Sequence, residues 1–230
     1  MRVAIFGSTG TVGSELLAQA LAAGHDVRAL ARTPSKLPAG HPRLTVLHGN
    51  VKDASPVSQT AAGADAVLST LGATDKNDSD IRRVGTANIL AAMREHGIRR
   101  LVVMGGFHLE FPGDPHNLGR KLIVPIIKLM GIVVEDTTAM SAAIQASNLD
   151  WTVVRTPRVI ASRRSAPTRT GTLELGPWSK VNKGNVARFM LDCLTDEATL
   201  RQAPMICDRA LPVAAIHRHR LSAETARQPT

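Results

Sequence analysis

Tyrosine is absent from all 230 residues, and the other large rings are four phenylalanines and two tryptophans. Without tyrosine there is no Tyr-x-x-x-Lys pair, in which lysine lowers the tyrosine pKa and the phenol passes a proton to a carbonyl oxygen. Ketone reduction and epimerase or dehydratase chemistry built on that pair are excluded. So few rings also leave little platform for stacking the bases of single strands. Cysteine is scarce as well: Cys193 and Cys207 stand alone, without metal-type spacing. That excludes a disulfide framework and a structural zinc site, and a reducing, cytoplasmic location is expected. Long apolar runs are missing too. The most apolar stretch, 121–134, is broken by Pro125 and Lys128 and falls short of the ~20 residues that cross a bilayer. No membrane span is expected, but rather a buried segment or an apolar lid over a pocket, with a membrane-skimming helix as the alternative. Met1 leads straight into a strand-like run, so no leader peptide is expected.

Positive charge is plentiful. The formal net charge is +9 and the pI about 10.5. The basic residues are scattered, apart from Arg155–Arg169 and the C-terminal end, which points to a small anionic ligand rather than nucleic acid. Strand-like runs (Val3–Phe6, Val27–Ala31, Leu44–His48, Ala66–Thr70, Leu101–Met104, Thr152–Arg155) alternate with helix-like ones (Ser14–Ala23, Ser55–Ala62, Ile81–His96, Thr137–Ala146). A further helix follows Asn182, a suitable N-cap. Such repeated βα units predict one doubly wound α/β domain on a parallel sheet, Rossmann-like in design. The domain is expected over 1–207, ending in a substrate-side segment, with 208–230 a basic tail. A monomer or small homo-oligomer is expected.

Gly7, Gly10 and Gly13 form G-x-x-G-x-x-G between the first strand and first helix. One glycine permits the tight turn, one lets the backbone approach a pyrophosphate, and one lets helix and strand pack closely. The phosphates then meet free N–H groups at the positive helix end, around Thr9, Thr11 and Val12. Where the second strand ends, an NAD site usually carries an acid for the ribose hydroxyls. Here Arg32 stands, followed by Ser35 and Lys36. Cations pair with a 2′-phosphate that a carboxylate would repel, so NADP (as NADPH) is the expected cofactor. Asn50 with Val51, and Leu71 with Gly72 and Ala73, lie at the carboxyl ends of the next strands, where the cofactor is expected. Asp75, Asp78 and Asp80 lack a calcium-loop pattern and read as a solvated loop; no metal site is expected.

The segments IFGSTGTVG, VRALARTPSKLP, LHGNVKDASPVSQTAAGADAVLSTLG, GTANILAAMREHGIRRLVV, LDWTVVRTPRV and NVARFMLDCL carry a resemblance. They run in order from residue 5 to about 194. The chain resembles the atypical short-chain dehydrogenase/reductases with an NAD(P)H-binding fold, and among them the biliverdin-IXβ reductase (flavin reductase) family. The later segments are also similar to those of regulators like the nitrogen-metabolite repressor, which bind NADP without turnover. The resemblance implies pyrophosphate contacts at Gly7, Thr9, Gly10, Thr11 and Gly13, and 2′-phosphate contacts at Arg32 and Lys36. It also implies an approach to the nicotinamide by Thr156, Pro157 and Val159; Met104 and Gly105, at the end of the fifth strand, are further expected cofactor contacts. The departures are specific. Asn50 replaces a frequent Asp. Gly105 and Gly106 fall where the relatives place a serine, and Ser141 and Ala142 where they place a histidine and a lysine.

What chemistry survives is hydride transfer to an extended π-system: a flavin, a quinone or a biliverdin-like tetrapyrrole. Such an acceptor delocalises the incoming charge and takes its proton from water, so the protein need supply only proximity and orientation. Gly106, Phe107, Pro157 and the 121–134 segment are the expected acceptor lining. Arg158, Arg163, Arg164 and Arg169 are candidates to meet phosphate or propionates. His108 is the remaining candidate proton donor, against the plain alternative of an exposed loop histidine. The competing class is a non-catalytic NADP(H)-binding redox sensor that regulates a partner.

Overall fold

The computed structural model describes residues 1–73, 78–112, 114, 134–162, 166–175 and 178–209. The 121–133 stretch, Asp75, Arg163, Arg164 and residues 210–230 lie outside them, and so do the expectations attached to those positions. The strands are β1 (Arg2–Phe6), β2 (Asp26–Ala31), β3 (Leu44–His48), β4 (Ala66–Ser69), β5 (Arg100–Gly106), β6 (Asp150–Thr156), β7 (Arg158–Ile160), β8 (Thr168–Gly171), β9 (Lys180–Asn182) and β10 (Met205–Asp208). The helices are α1 (Thr11–Ala22), α2 (Ala54–Ala61), α3 (Ile81–Glu95), α4 (Val134–Gln145) and α5 (Lys183–Asp192).

Eight strands form one sheet in the order β3-β2-β1-β4-β5-β6-β10-β8, and β7 pairs with β9 in a separate parallel ribbon. The sheet is parallel except at one edge, where β8 runs antiparallel to β10. The expected parallel sheet thus carries one antiparallel edge strand, and mixed edges of this kind are common in doubly wound sheets. The sequence shows why both faces are covered. Along β1, Ala4 and Phe6 join one core cluster while Val3 and Ile5 join the other, the two-residue period of a pleated strand. α2, α3 and α4 cover the first face with Val57, Ile89, Met93, Met140 and Ile144. α1 and α5 cover the second with Leu16, Leu17, Val186 and Met190.

α5 begins where expected: the Asn182 side chain accepts the Gly184 N–H at 2.9 Å. Arg100, buried at the amino end of β5, donates to Asp150 O and to the hydroxyls of Thr152 and Thr199, and also to Cys193 O. Burial pushes the Cys193 thiol up to about 11, so almost no thiolate forms near neutral pH. Neither cysteine is exposed. Among the described residues no helix is long and apolar enough to cross a membrane.

The order reverses at β1, which has β2 on one side and β4 on the other. In open α/β sheets a crevice forms outside the carboxyl ends of the strands at this reversal.

Candidate dinucleotide site

A cleft of about 760 Å³ opens at that place. Its floor is the glycine loop: Gly7, Thr9, Gly10, Thr11 and Val12. Gly7 adopts φ +86°, the left-handed region that glycine enters without a steric cost. A Cβ on Gly13 would lie 2.0 Å from Gly7 O. The helix is thus drawn against the loop as closely as backbone allows. No side chain caps the amino end of α1, and no acid stands in its first turn. This positive, uncapped helix end faces the cleft and fits the diphosphate of a dinucleotide.

One wall comes from the end of β2. Ala31, Arg32, Thr33 and Lys36 line it, and Ser35 sits between them in a short 3-10 turn without reaching the cleft. Arg32 is not alone there. Its Nη1 lies 2.9 Å from Asp78 Oδ2. Asp78 is 4% exposed, which overturns the solvated-loop expectation for this aspartate. Asp80 stays solvated, its side chain 38% exposed, while Lys52 Nζ donates to its carboxylate at 2.5 Å and holds its pKa below the ordinary carboxylate value. Both acids serve as ion-pair partners for basic side chains around this end of the cleft.

The next wall holds Gly49, Asn50 and Val51 after β3, then Thr70, Leu71, Gly72 and Ala73 after β4. The Asn50 side-chain oxygen accepts the Lys52 N–H at 3.1 Å and so shapes its own turn. The far end is closed by Met104 and Val159. Gly105, Gly106, Phe107 and Thr156 meet one another there without lining the cleft: Phe107 N–H donates to Thr156 O, and the Thr156 hydroxyl donates to Gly105 O. Pro157 and Arg158 also stand off the cleft wall, Arg158 exposed at the start of β7. The structure thus gathers most of the expected cofactor residues into one cleft. Phe6, Leu30, Ala31, Thr33, Gly49, Thr70 and Ile81 join them unannounced; all but Ile81, the first residue of α3, lie at or just beyond strand ends, and only the strand order could have nominated them.

His108 corrects an expectation. It is 9% exposed rather than exposed, and its ring lies over Gly106, where an added Cβ would meet it at 2.4 Å. Gly106 therefore makes room for an imidazole. Ser141 is buried in α4 and accepts a hydrogen bond from Gln145 at 3.1 Å, a contact within its own helix.

A family profile described as NAD(P)H-binding matches residues 7–197. A 3-beta-hydroxysteroid dehydrogenase from Mycolicibacterium neoaurum is 32% identical over 124 residues, 46% of this chain and 34% of that protein. The chain therefore spans about a third of the length of this relative. The photosystem II assembly factor Ycf39 from Synechocystis sp. is 24% identical over 223 residues, 91% of this chain and 64% of that protein. Among solved structures, the anaerobilin reductase ChuY from Escherichia coli O157:H7 matches with a TM-score of 0.75 at 18% identity, covering 92% of this chain and 99% of that one. A short-chain dehydrogenase/reductase from Veillonella parvula, solved with NADP, matches at 0.72 and 18%, covering 89% and 93%. At these identities the solved structures establish the fold.

Proposed function

The chain belongs to the NAD(P)H-binding family, and from that membership we propose that it is an NADPH-dependent reductase of a conjugated acceptor, a flavin, a quinone or a biliverdin-like tetrapyrrole. The observation that carries this reading is the complete absence of tyrosine. A dinucleotide cleft without a phenol to protonate a carbonyl suits acceptors that delocalise charge and take their proton from water. NADPH supplies the hydride when bound. The chain's own part is to hold and orient. The uncapped end of α1, with Gly7, Gly10 and Thr11, holds the diphosphate. Arg32 and Lys36 hold the 2′-phosphate. Met104 and Val159, with the neighbouring Gly105, Thr156 and Pro157, keep the reactive end dry. Gly106 and Phe107 face the acceptor, and Arg158 offers charge to a carboxylate or phosphate on it. His108, packed over Gly106 rather than lining the cleft, supports water as the proton source.

The test is NADPH oxidation, followed optically, with FMN, riboflavin, a quinone and biliverdin offered in turn. Acceptor-dependent turnover that falls sharply with NADH is the expected result. A second reading has its own observation: the relative matched over 91% of this chain is an assembly factor. Tight NADPH binding with no turnover on any acceptor would replace the reductase with a redox sensor that acts on a partner.

A further inference from the structure

In the function proposed above, Arg32 reads the 2′-phosphate, yet this guanidinium is already engaged. Arg32 Nη1 sits 2.9 Å from Asp78 Oδ2, and the exposures are unequal: 45% for the arginine side chain, 6% for the aspartate. The arginine thus lies over the carboxylate, with its outer part in the cleft. Lys36, the second cation on the same rim, makes no ion pair among the described residues.

We propose that Asp78 sets how strongly the cleft discriminates NADPH from NADH. Its carboxylate competes with the 2′-phosphate for Arg32, so the preference leans on Lys36 and is narrower than two unopposed cations would give. A phosphate dianion drawn to this guanidinium is also drawn toward a covered carboxylate, and salt screens such a partly buried charge weakly. A 2′-hydroxyl carries no charge and meets no such repulsion; it can even donate to the carboxylate. The same acid therefore costs NADPH affinity without costing NADH affinity. This inference rests on the NADPH reading, and its test separates the two.

Calorimetric titrations with NADPH, NADH, 2′,5′-ADP and 5′-AMP would compare the wild type, Asp78→Asn, Arg32→Ala and the double variant. Asp78→Asn is expected to raise the NADPH-over-NADH affinity ratio about fivefold, the weight of one well-placed ion pair. The ratio of 2′,5′-ADP to 5′-AMP should move in step, and the gain should vanish in the Arg32→Ala background. A ratio that stays put or falls in Asp78→Asn overturns the proposal, since the carboxylate would then orient the guanidinium instead of competing for it. If Arg32→Ala alone leaves the wild-type ratio intact, the 2′-phosphate reading of Arg32 fails, and the competition falls with it. Melting curves accompany each variant, and Asp78→Ser provides a second removal of the charge should the asparagine variant fold poorly.

Discussion

Asp114→Ala is expected to lower the stability of the fold by about 3 kcal/mol, the lower end of the range for breaking a buried ion pair from one side. The partner is Arg155, whose side chain is 2% exposed in the middle of the sheet, while that of Asp114 is 9% exposed. The fork is bidentate: Nη1 reaches Oδ2 at 2.5 Å and Nη2 reaches Oδ1 at 2.7 Å. Nε donates to Ala203 O and Nη1 also to Leu109 O, and the guanidinium carbon lies 5.1 Å from the centre of the Phe111 ring. Removing the carboxylate strands a cation that cannot lose its proton and makes no other ion pair among the described residues. The lower end of the range applies because a hollow of about 410 Å³, lined in part by Phe111, Asp114 and Arg155, lets water approach the abandoned group. Urea unfolding of the variant measures the loss, and a compensated pair, Arg155→Met with Asp114→Leu, should recover much of it because no charge is then buried. A single-variant loss below about 1 kcal/mol, the level of an exposed pair, would mean the site is wet.

Arg155 also marks where reading the sequence stops. The run WTVVRT reads as a strand, and the strand is there, but an arginine in it reads as surface. Its partner stands 41 residues earlier, and only the pairing of β5 with β6 brings the two together. Asp78 is the same case at the cofactor end. Arg32 and Lys36 are legible because they follow a strand at a fixed offset from the glycine loop. Asp78 lies 46 residues beyond Arg32, and no local pattern in the sequence pairs the two. The glycine loop, the helix capped by Asn182 and strands β1 to β6 are legible because local periodicity and local turn chemistry define them. β7, β8, β9 and β10, three or four residues each and outside the repeated βα pattern, are not. β8 reads TRTG and has no apolar alternation, and its antiparallel pairing with β10 is what makes it a strand. His108 misleads for a related reason. A histidine just after a strand belongs to the surface unless a neighbouring glycine makes room for its ring, as Gly106 does here.

The same loop that was most legible gives the other large effect, because its three glycines do different work. At Gly13 an added Cβ would meet Gly7 O at 2.0 Å, Gly7 C at 2.7 Å and the Thr70 hydroxyl at 2.7 Å. Two of these are backbone atoms, so no rotamer change relieves the clash. At Gly10 the nearest atom is Gly7 O at 3.3 Å, a contact that a shift of a few tenths of an ångström accommodates. Gly13→Ala is therefore expected to cost about 1–3 kcal/mol in stability, as overpacking of a close contact does, and to abolish NADPH binding as the loop is pushed off the end of α1. Gly10→Ala should melt close to the wild type and still bind NADPH weakly, since its methyl group would occupy the cleft floor where the diphosphate must approach the backbone. Paired melting curves and NADPH titrations separate packing from ligand approach. Equal losses of stability in the two variants would show that the loop relaxes around Gly13 as easily as around Gly10. The diphosphate site would then owe its shape to the ligand rather than to the contact between Gly13 and Gly7.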